Sequence, residues 1–206
     1  MFADRADAAR KLAAALARFQ GEYPLVLGIP RGGVPMAKVI ADQLGCDIDV
    51  VLVRKLRAPA NAEYAIGAVD ESGWSFVTSE AAWVRPSPEY LEEEKRAQLE
   101  VILERRRIYT ALRPPIDPKG RVVIVVDDGL ATGSTMVAAL HALAARHPAK
   151  LVCAVPVAPP ETVAKVKAYC DEVVCLETPR DFSAVGQFYR SFPQTTDAEV
   201  AIALQP

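Results

Sequence analysis

Two adjacent acids, Asp127 and Asp128, stand directly after a β-branched run ending at Val126 and shortly before a loop of small residues, Ala131-Thr132-Gly133-Ser134-Thr135. A run of this kind, uninterrupted by polar residues, reads as a central parallel strand covered on both faces. Met136, Leu140 and Leu143 then recur at helical spacing. The loop therefore lies between a buried strand and a helix, where backbone N–H groups and the hydroxyls of Thr132, Ser134 and Thr135 can surround a phosphate at the positive helix end. It lacks the lysine and first glycine of the nucleotide triphosphatase loop G-x-x-x-x-G-K-[ST]. Paired carboxylates repel phosphate unless something positive binds between them, so the pair points to a sugar diol or a magnesium shell.

The elements around these residues must carry them to one place. Residues 3–19 read as a helix through Leu12, Leu16 and Phe19, stopped at Gly21. Residues 24–29 read as a short buried strand, followed by the turn Pro30-Arg31-Gly32-Gly33, a helix closed by Gly45, and a second strand over 48–53. Strand, glycine turn, helix and strand form a βαβ unit, which implies a parallel sheet whose ligands collect at the carboxyl ends of its strands. Runs 65–70 and 75–78 predict a hairpin beside that sheet. Ser87 and Pro88 open a helix, and its segment 89–107 holds eleven Asp, Glu, Lys or Arg side chains, read as a solvated face with local pairs such as Glu92 with Arg96. Two more strand-like runs, 151–157 and 172–176, flank a helix introduced by Pro159-Pro160-Glu161. The tail from Thr178 is rich in aromatic and turn residues and ends in a short helix that Thr196 and Glu199 can box.

Composition narrows the class. The chain has 206 residues, 51% apolar and 24% charged, with a formal charge of -2. That describes one domain with a substantial core and argues against disorder, against a disulfide scaffold and against a strongly basic nucleic-acid surface. The apolar stretches are too short and too rich in proline to span a membrane, and Asp4, Arg5 and Asp7 stand where a signal peptide needs an apolar run. A cytoplasmic protein is expected. Cys46, Cys153, Cys170 and Cys175 read as reduced thiols, and His141 and His147, on one helix, give them no zinc partners.

The segment Val122-Val-Ile-Val-Val-Asp-Asp-Gly-Leu-Ala-Thr-Gly-Ser-Thr135 resembles the signature of the type I phosphoribosyltransferases, and its wording, with Ala131 before Thr-Gly, is nearest the adenine enzymes. The resemblance implies a parallel sheet flanked by helices. It implies that Asp127 and Asp128 hold the ribose hydroxyls of phosphoribosyl pyrophosphate and, through water, Mg²⁺, while Ala131, Thr132, Gly133, Ser134 and Thr135 wrap the 5′-phosphate. Pro30-Arg31-Gly32-Gly33 is similar to the family's pyrophosphate loop, which assigns Arg31, Gly32 and Gly33 to that group. Arg54-Lys55-Leu56-Arg57 resembles the basic segment that grips pyrophosphate, which adds Arg54, Lys55 and Arg57. Arg31 and Lys55 would neutralise the leaving group, and Glu63, expected in the loop after the basic segment, is the candidate general base, with solvent or the leaving pyrophosphate as the alternatives.

The division expected is an α/β core over 22–177 and a small hood over 178–206, to which the N-terminal helix can add. Phe182, Phe188 and Tyr189 are the hood's candidate stacking groups, with an aromatic cluster that merely anchors the tail as the equal alternative. Pro179-Arg-Asp-Phe-Ser-Ala-Val-Gly-Gln-Phe-Tyr-Arg190 is similar to the tail of bacterial proteins grouped with the phosphoribosyltransferases without an assigned base. The partners implied are phosphoribosyl pyrophosphate and a nitrogenous base, purine-like by the loop wording, and a homodimer is compatible. The rival is a regulator that kept the ligand site and lost catalysis.

Overall fold

The computed structural model describes residues 1–59, 61–78, 81–110 and 114–205, apart from the side chains of residues 62 and 63. Its strands are β1 (Leu25–Gly28), β2 (Asp47–Val50), β3 (Val53–Ala58), β4 (Asn61–Asp70), β5 (Ser75–Val77), β6 (Val122–Val126), β7 (Lys150–Val157) and β8 (Glu172–Glu177). The helices are α1 (Arg5–Ala15), α2 (Gly33–Leu44), α3 (Ala81–Val84), α4 (Pro88–Thr110), α5 (Ser134–Ala144), α6 (Pro160–Val166) and α7 (Asp197–Ala203).

The apolar runs pair as a five-stranded sheet in the order β2-β1-β6-β7-β8, every pairing parallel. Strand alternation divides its side chains between two cores. Val26, Ile124, Val126 and Val152 face the layer of α1 and α2, whereas Leu25, Val123, Val125 and Cys153 face α5 and α6. The helix after β1 covers one face and the helix after β6 the other, so the carboxyl ends of these adjacent strands form a topological switch point. Loops diverge there and leave a crevice.

The predicted hairpin is present, but as part of an antiparallel sheet, β3-β4-β5, roofed by α4. The single strand expected over 48–53 is two, β2 in the parallel sheet and β3 in the antiparallel one. Local apolarity could not reveal that the chain changes sheets at Val51 and Leu52. The first helix also ends earlier than expected, at Ala15, and a 3₁₀ turn carries the chain over Ala17–Phe19. Helix α4 departs from a solvated face as well. Glu94 and Gln98 are buried, and Arg106 reaches Asp49 and Glu71. Among the described residues no helix is long and apolar enough to cross a membrane.

Candidate active site

Strand β6 delivers Asp127 and Asp128 to the switch point. The Asp128 amide donates to Asp127 Oδ1 at 2.9 Å, and Asp128 Oδ2 accepts from Arg5 Nε at 2.8 Å, with a terminal nitrogen of the same guanidinium in ion-pair contact at 2.8 Å. Burial pushes the Asp127 carboxyl well up from its ordinary value, and the charge of Asp128 adds to it. Asp128 is also raised by burial, with Arg5 working in the opposite direction. The guanidinium of Arg5 lies 3.8 Å from the Phe192 ring centroid and donates to the Pro193 carbonyl at 2.6 Å. Local sequence offered one clue to Arg5: a cation in the first turn of α1 opposes the helix dipole, so a local preference is broken there.

The turn after β1 presses on the same acid. A Cβ placed on Gly32 would lie 1.9 Å from Asp128 Oδ2, and one on Gly33 would lie 2.4 Å from the Val126 carbonyl. Only glycine fits between the two strand ends. The Pro30–Arg31 peptide bond is cis. Arg31 projects into a cavity of about 370 Å³ shared with Arg5, Gly32, Phe192 and Thr195, and its guanidinium stands 3.9 Å from Asp197.

On the other side of the crevice, Gly133 takes a left-handed conformation (φ 69°) and caps α5. Thr132 Oγ1 and Ser134 Oγ lie 3.1 Å apart. The loop is braced from α6, where Thr162 Oγ1 donates to the Ala131 carbonyl at 2.6 Å and Lys165 Nζ to that of Thr132 at 3.2 Å. The backbone carbonyls are tied down while Ala131, Thr132 and Thr135 remain exposed, so donors at the α5 amino terminus face outward.

The basic segment is split. Lys55 is exposed and meets no acid among the described residues, and with Thr135 it lines a cavity of about 270 Å³. Arg54 instead donates to Gln98 Oε1 at 2.5 Å, and Arg57 grips Glu94 with two bonds of 2.7 and 3.0 Å. The register shift at Leu56/Arg57 brings Arg57 to the α4 side that Arg54 already occupies. The hydrogen bond from Arg57 holds the Glu94 carboxyl below its ordinary value. Arg54 and Arg57 are thus paired with α4, and both also line the cavity that Lys55 shares with Thr135. Glu63 falls within β4 rather than in a loop, and its side chain lies outside the described residues.

In the tail, Tyr189 is buried, with its ring 5.4 Å from Phe2 and 4.7 Å from Phe192, and its hydroxyl donates to the Asp128 carbonyl at 2.6 Å. Phe182 and Phe188 pack on each other at 5.1 Å and against the α1 and α2 core. Tyr189 thus ties the tail to Asp128, and Phe182 and Phe188 tie it to the core. The segment that faces the cavity beside Arg31 is Phe192 to Thr195.

An acidic pair, a glycine turn and the amino terminus of α5 converge at the switch point of a parallel sheet. Residues 2–192 match the phosphoribosyl transferase domain, and the chain belongs to that family. It is 42% identical over 205 residues to the Mycobacterium tuberculosis (strain H37Rv) protein named "Putative phosphoribosyl transferase Rv0571c", an alignment spanning 99% of this chain and 46% of that protein. The chain thus spans about half the length of the curated relatives it matches. The crystal structure of TT1426 from Thermus thermophilus superposes with a TM-score of 0.89 at 46% identity, covering 98% of this chain and 97% of that one. The purine phosphoribosyltransferase from Pyrococcus horikoshii shares the fold at a TM-score of 0.50 and 16% identity, over 92% of this chain and 87% of that one.

Proposed function

We propose that the protein transfers the ribose 5-phosphate of phosphoribosyl pyrophosphate to a ring nitrogen of a nitrogenous base, releasing pyrophosphate. The observation that carries this reading is the contact of Gly32 with Asp128 across the β1 and β6 ends, beside a phosphate cradle at α5. The three groups of one sugar diphosphate, its 5′-phosphate, diol and pyrophosphate, thereby find receptors along one crevice. The phosphate loop anchors the 5′-phosphate through backbone N–H groups and hydroxyls. Asp127 and Asp128 accept from the ribose hydroxyls and orient the ring, and their negative charge favours a sugar that becomes cationic as the bond to pyrophosphate breaks. Arg31 and Lys55 face the departing pyrophosphate, whose charge grows in the transition state. The Ala131-Thr-Gly wording of the loop, which resembles that of the adenine enzymes, favours a purine-like acceptor. We read 22–177 as the catalytic core and 178–206 as the segment that closes over the acceptor.

Among the described residues no group of three His, Cys, Asp or Glu stands ready to hold a metal. Two carboxylates alone fit Mg²⁺, which keeps several waters and takes further oxygens from a bound phosphate. Asp127 and Asp128 would hold it through water, and when bound it supplies positive charge to the pyrophosphate.

A ligand-sensing protein on the same fold is the second reading. It is favoured by Arg5 seated on Asp128 and Arg57 on Glu94, since both pairs occupy groups a phosphorylated substrate could use. A screen of nucleobases with phosphoribosyl pyrophosphate and Mg²⁺, following pyrophosphate release, separates the two. Base-dependent release, strongest with a purine, is expected. Tight binding of phosphoribosyl pyrophosphate without release by any base would favour the sensor.

A further inference from the structure

Arg5 joins three parts of the molecule at one guanidinium. Its Nε donates to Asp128 Oδ2 at 2.8 Å, a terminal nitrogen donates to the Pro193 carbonyl at 2.6 Å, and its central carbon lies 3.8 Å from the Phe192 ring centroid. Helix α1 does not need this cation for attachment, because Ala8, Ala9, Leu12 and Ala13 already bury its apolar face. The Arg5 and Asp128 side chains are only 15% and 16% exposed, and at that depth the desolvation of both partners offsets much of their attraction. An arginine kept there, against the dipole of its own helix, calls for a role beyond holding α1 in place.

The hydrogen bonds of the acidic pair show what that role is. Asp127 Oδ1 accepts from the Asp128 amide at 2.9 Å, so the chain itself uses one oxygen of the first acid. Asp128 Oδ2 is used in the same way by Arg5, and the glycine turn crowds it further: a Cβ on Gly32 would lie 1.9 Å from that oxygen and 3.1 Å from Arg5 Nε. Among the described residues, no other residue donates to Asp127 Oδ2 or to Asp128 Oδ1. Each acid thus keeps one oxygen for a ligand, and a ribose diol presents two hydroxyl donors. The Arg5 fork is pinned in turn by Pro193 and Phe192, so the carboxylate that it grips has little freedom to turn.

We propose, on the transferase reading of this site, that Arg5 is a positioning residue. It fixes Asp128 by Oδ2, so that Asp128 Oδ1 and Asp127 Oδ2 are the pair of oxygens that accept from the two ribose hydroxyls. Arg5 touches neither the ribose nor the leaving group. Without it the Asp128 carboxylate must be ordered by the ligand itself, and affinity falls for ligands that carry the diol.

Adenosine 5′-monophosphate and its 2′,3′-dideoxy counterpart, titrated calorimetrically without metal, isolate the diol while phosphate and base stay the same. The parent should prefer the ribonucleotide by at least about tenfold. Arg5→Met keeps the bulk of the stem but none of its donors, and should weaken the ribonucleotide about tenfold while the dideoxy compound stays within about twofold, so the preference disappears. Arg5→Lys keeps a charged donor without the fork and should restore part of the preference. If Arg5→Met does not fold, Arg5→Gln is read by the same comparison. An undiminished preference in these variants, with both nucleotides weakened alike, would make Arg5 a structural anchor and overturn the proposal. Tighter binding of the ribonucleotide in Arg5→Met would also overturn it, since Arg5 would then obstruct the acid it holds. A parent that binds neither nucleotide, or both equally, overturns this role as well. The transferase reading is judged separately, by base-dependent release of pyrophosphate.

Discussion

The two ends of the molecule treat buried charge in opposite ways. Under α4, Arg106 donates to Asp49 at 2.8 Å and to both oxygens of Glu71 at 2.7 and 2.8 Å, and a further bond of 3.1 Å reaches the Val50 carbonyl. Burial opposes the charge of Arg106, but Glu71 and Asp49 outweigh it and hold the guanidinium above its ordinary value. Burial also raises the Glu71 carboxyl despite the pull of Arg106, so the four hydrogen bonds of Arg106, and not the Glu71 shift, mark this charge as matched. At the switch point, two acids share one close cation, Arg5, and both are pushed toward their neutral forms. Matched charge fastens the antiparallel sheet to the core. On the proposed function, an incoming ligand supplies the partners the crevice acids lack, and stability is surrendered there for binding.

The contrast is broken most severely by removing one partner from the matched region. Arg106→Met strands two carboxylates beneath α4 and should cost about 3 to 5 kcal/mol, read as a fall in denaturant midpoint with unchanged slope. A loss below about 1 kcal/mol would mean the cluster is solvated and the comparison is misdrawn. Next in size are Arg31→Ala and Lys55→Ala, each expected to slow the chemical step about a hundredfold, with a smaller effect on ground-state binding. Single-turnover rates equal to the parent's would remove both from the transfer machinery.

At the crevice the sign reverses. Asp127→Asn keeps the oxygen that accepts from the Asp128 amide but removes the penalised charge, so it should stabilise the fold by about 1 kcal/mol at neutral pH. Melting would rise roughly 2 to 4 °C in a chain of this size, with loss of sugar-phosphate binding. A drop in Tm would place Asp127 with the structural charges. The smallest effect belongs to the pair of exposed Arg57 and buried Glu94. Because the folded Glu94 carboxyl is held below its ordinary value, the pair's stability is fully present above the unfolded glutamate range and fades as pH falls through the lowered one. Glu94→Gln should therefore cost about 0.5 kcal/mol near neutrality, discounted for solvent, and nothing in strong acid. A cost independent of pH would show that Glu94 acts by packing.

What was legible in the sequence was what local pattern controls. The β-branched run, the two acids and the small-residue loop specify strand, crevice and helix within fifteen or so positions by chemistry that needs no distant partner. The glycine turn and the Thr196 and Glu199 box are local in the same sense, and the box forms as expected, with Thr196 Oγ1 accepting from the Glu199 amide at 3.2 Å. Which way Arg54 and Arg57 point was not legible. It depends on a register shift between β3 and β4 and on the approach of α4 from some forty positions away in the chain. His141, which the sequence places only on a helix, stacks against Trp74 and Phe76, and that contact exists only once β5 packs on α5. The aromatic tail was ambiguous for a similar reason, since a ring that stacks on a ligand and a ring that stacks on Phe2 have the same sequence signature.

The central claim is that the acidic pair and the Gly133 loop bind one sugar phosphate together, and calorimetric titration with phosphoribosyl pyrophosphate and Mg²⁺ tests it most directly. Gly133 holds φ 69°, and a Cβ there would stand 2.9 Å from the Thr162 methyl, so Gly133→Val should close the approach a phosphate needs. The account predicts saturable, Mg²⁺-dependent binding by the parent and a loss of at least about a hundredfold in both Gly133→Val and Asp128→Asn. Binding by both variants as tight as the parent's would contradict it.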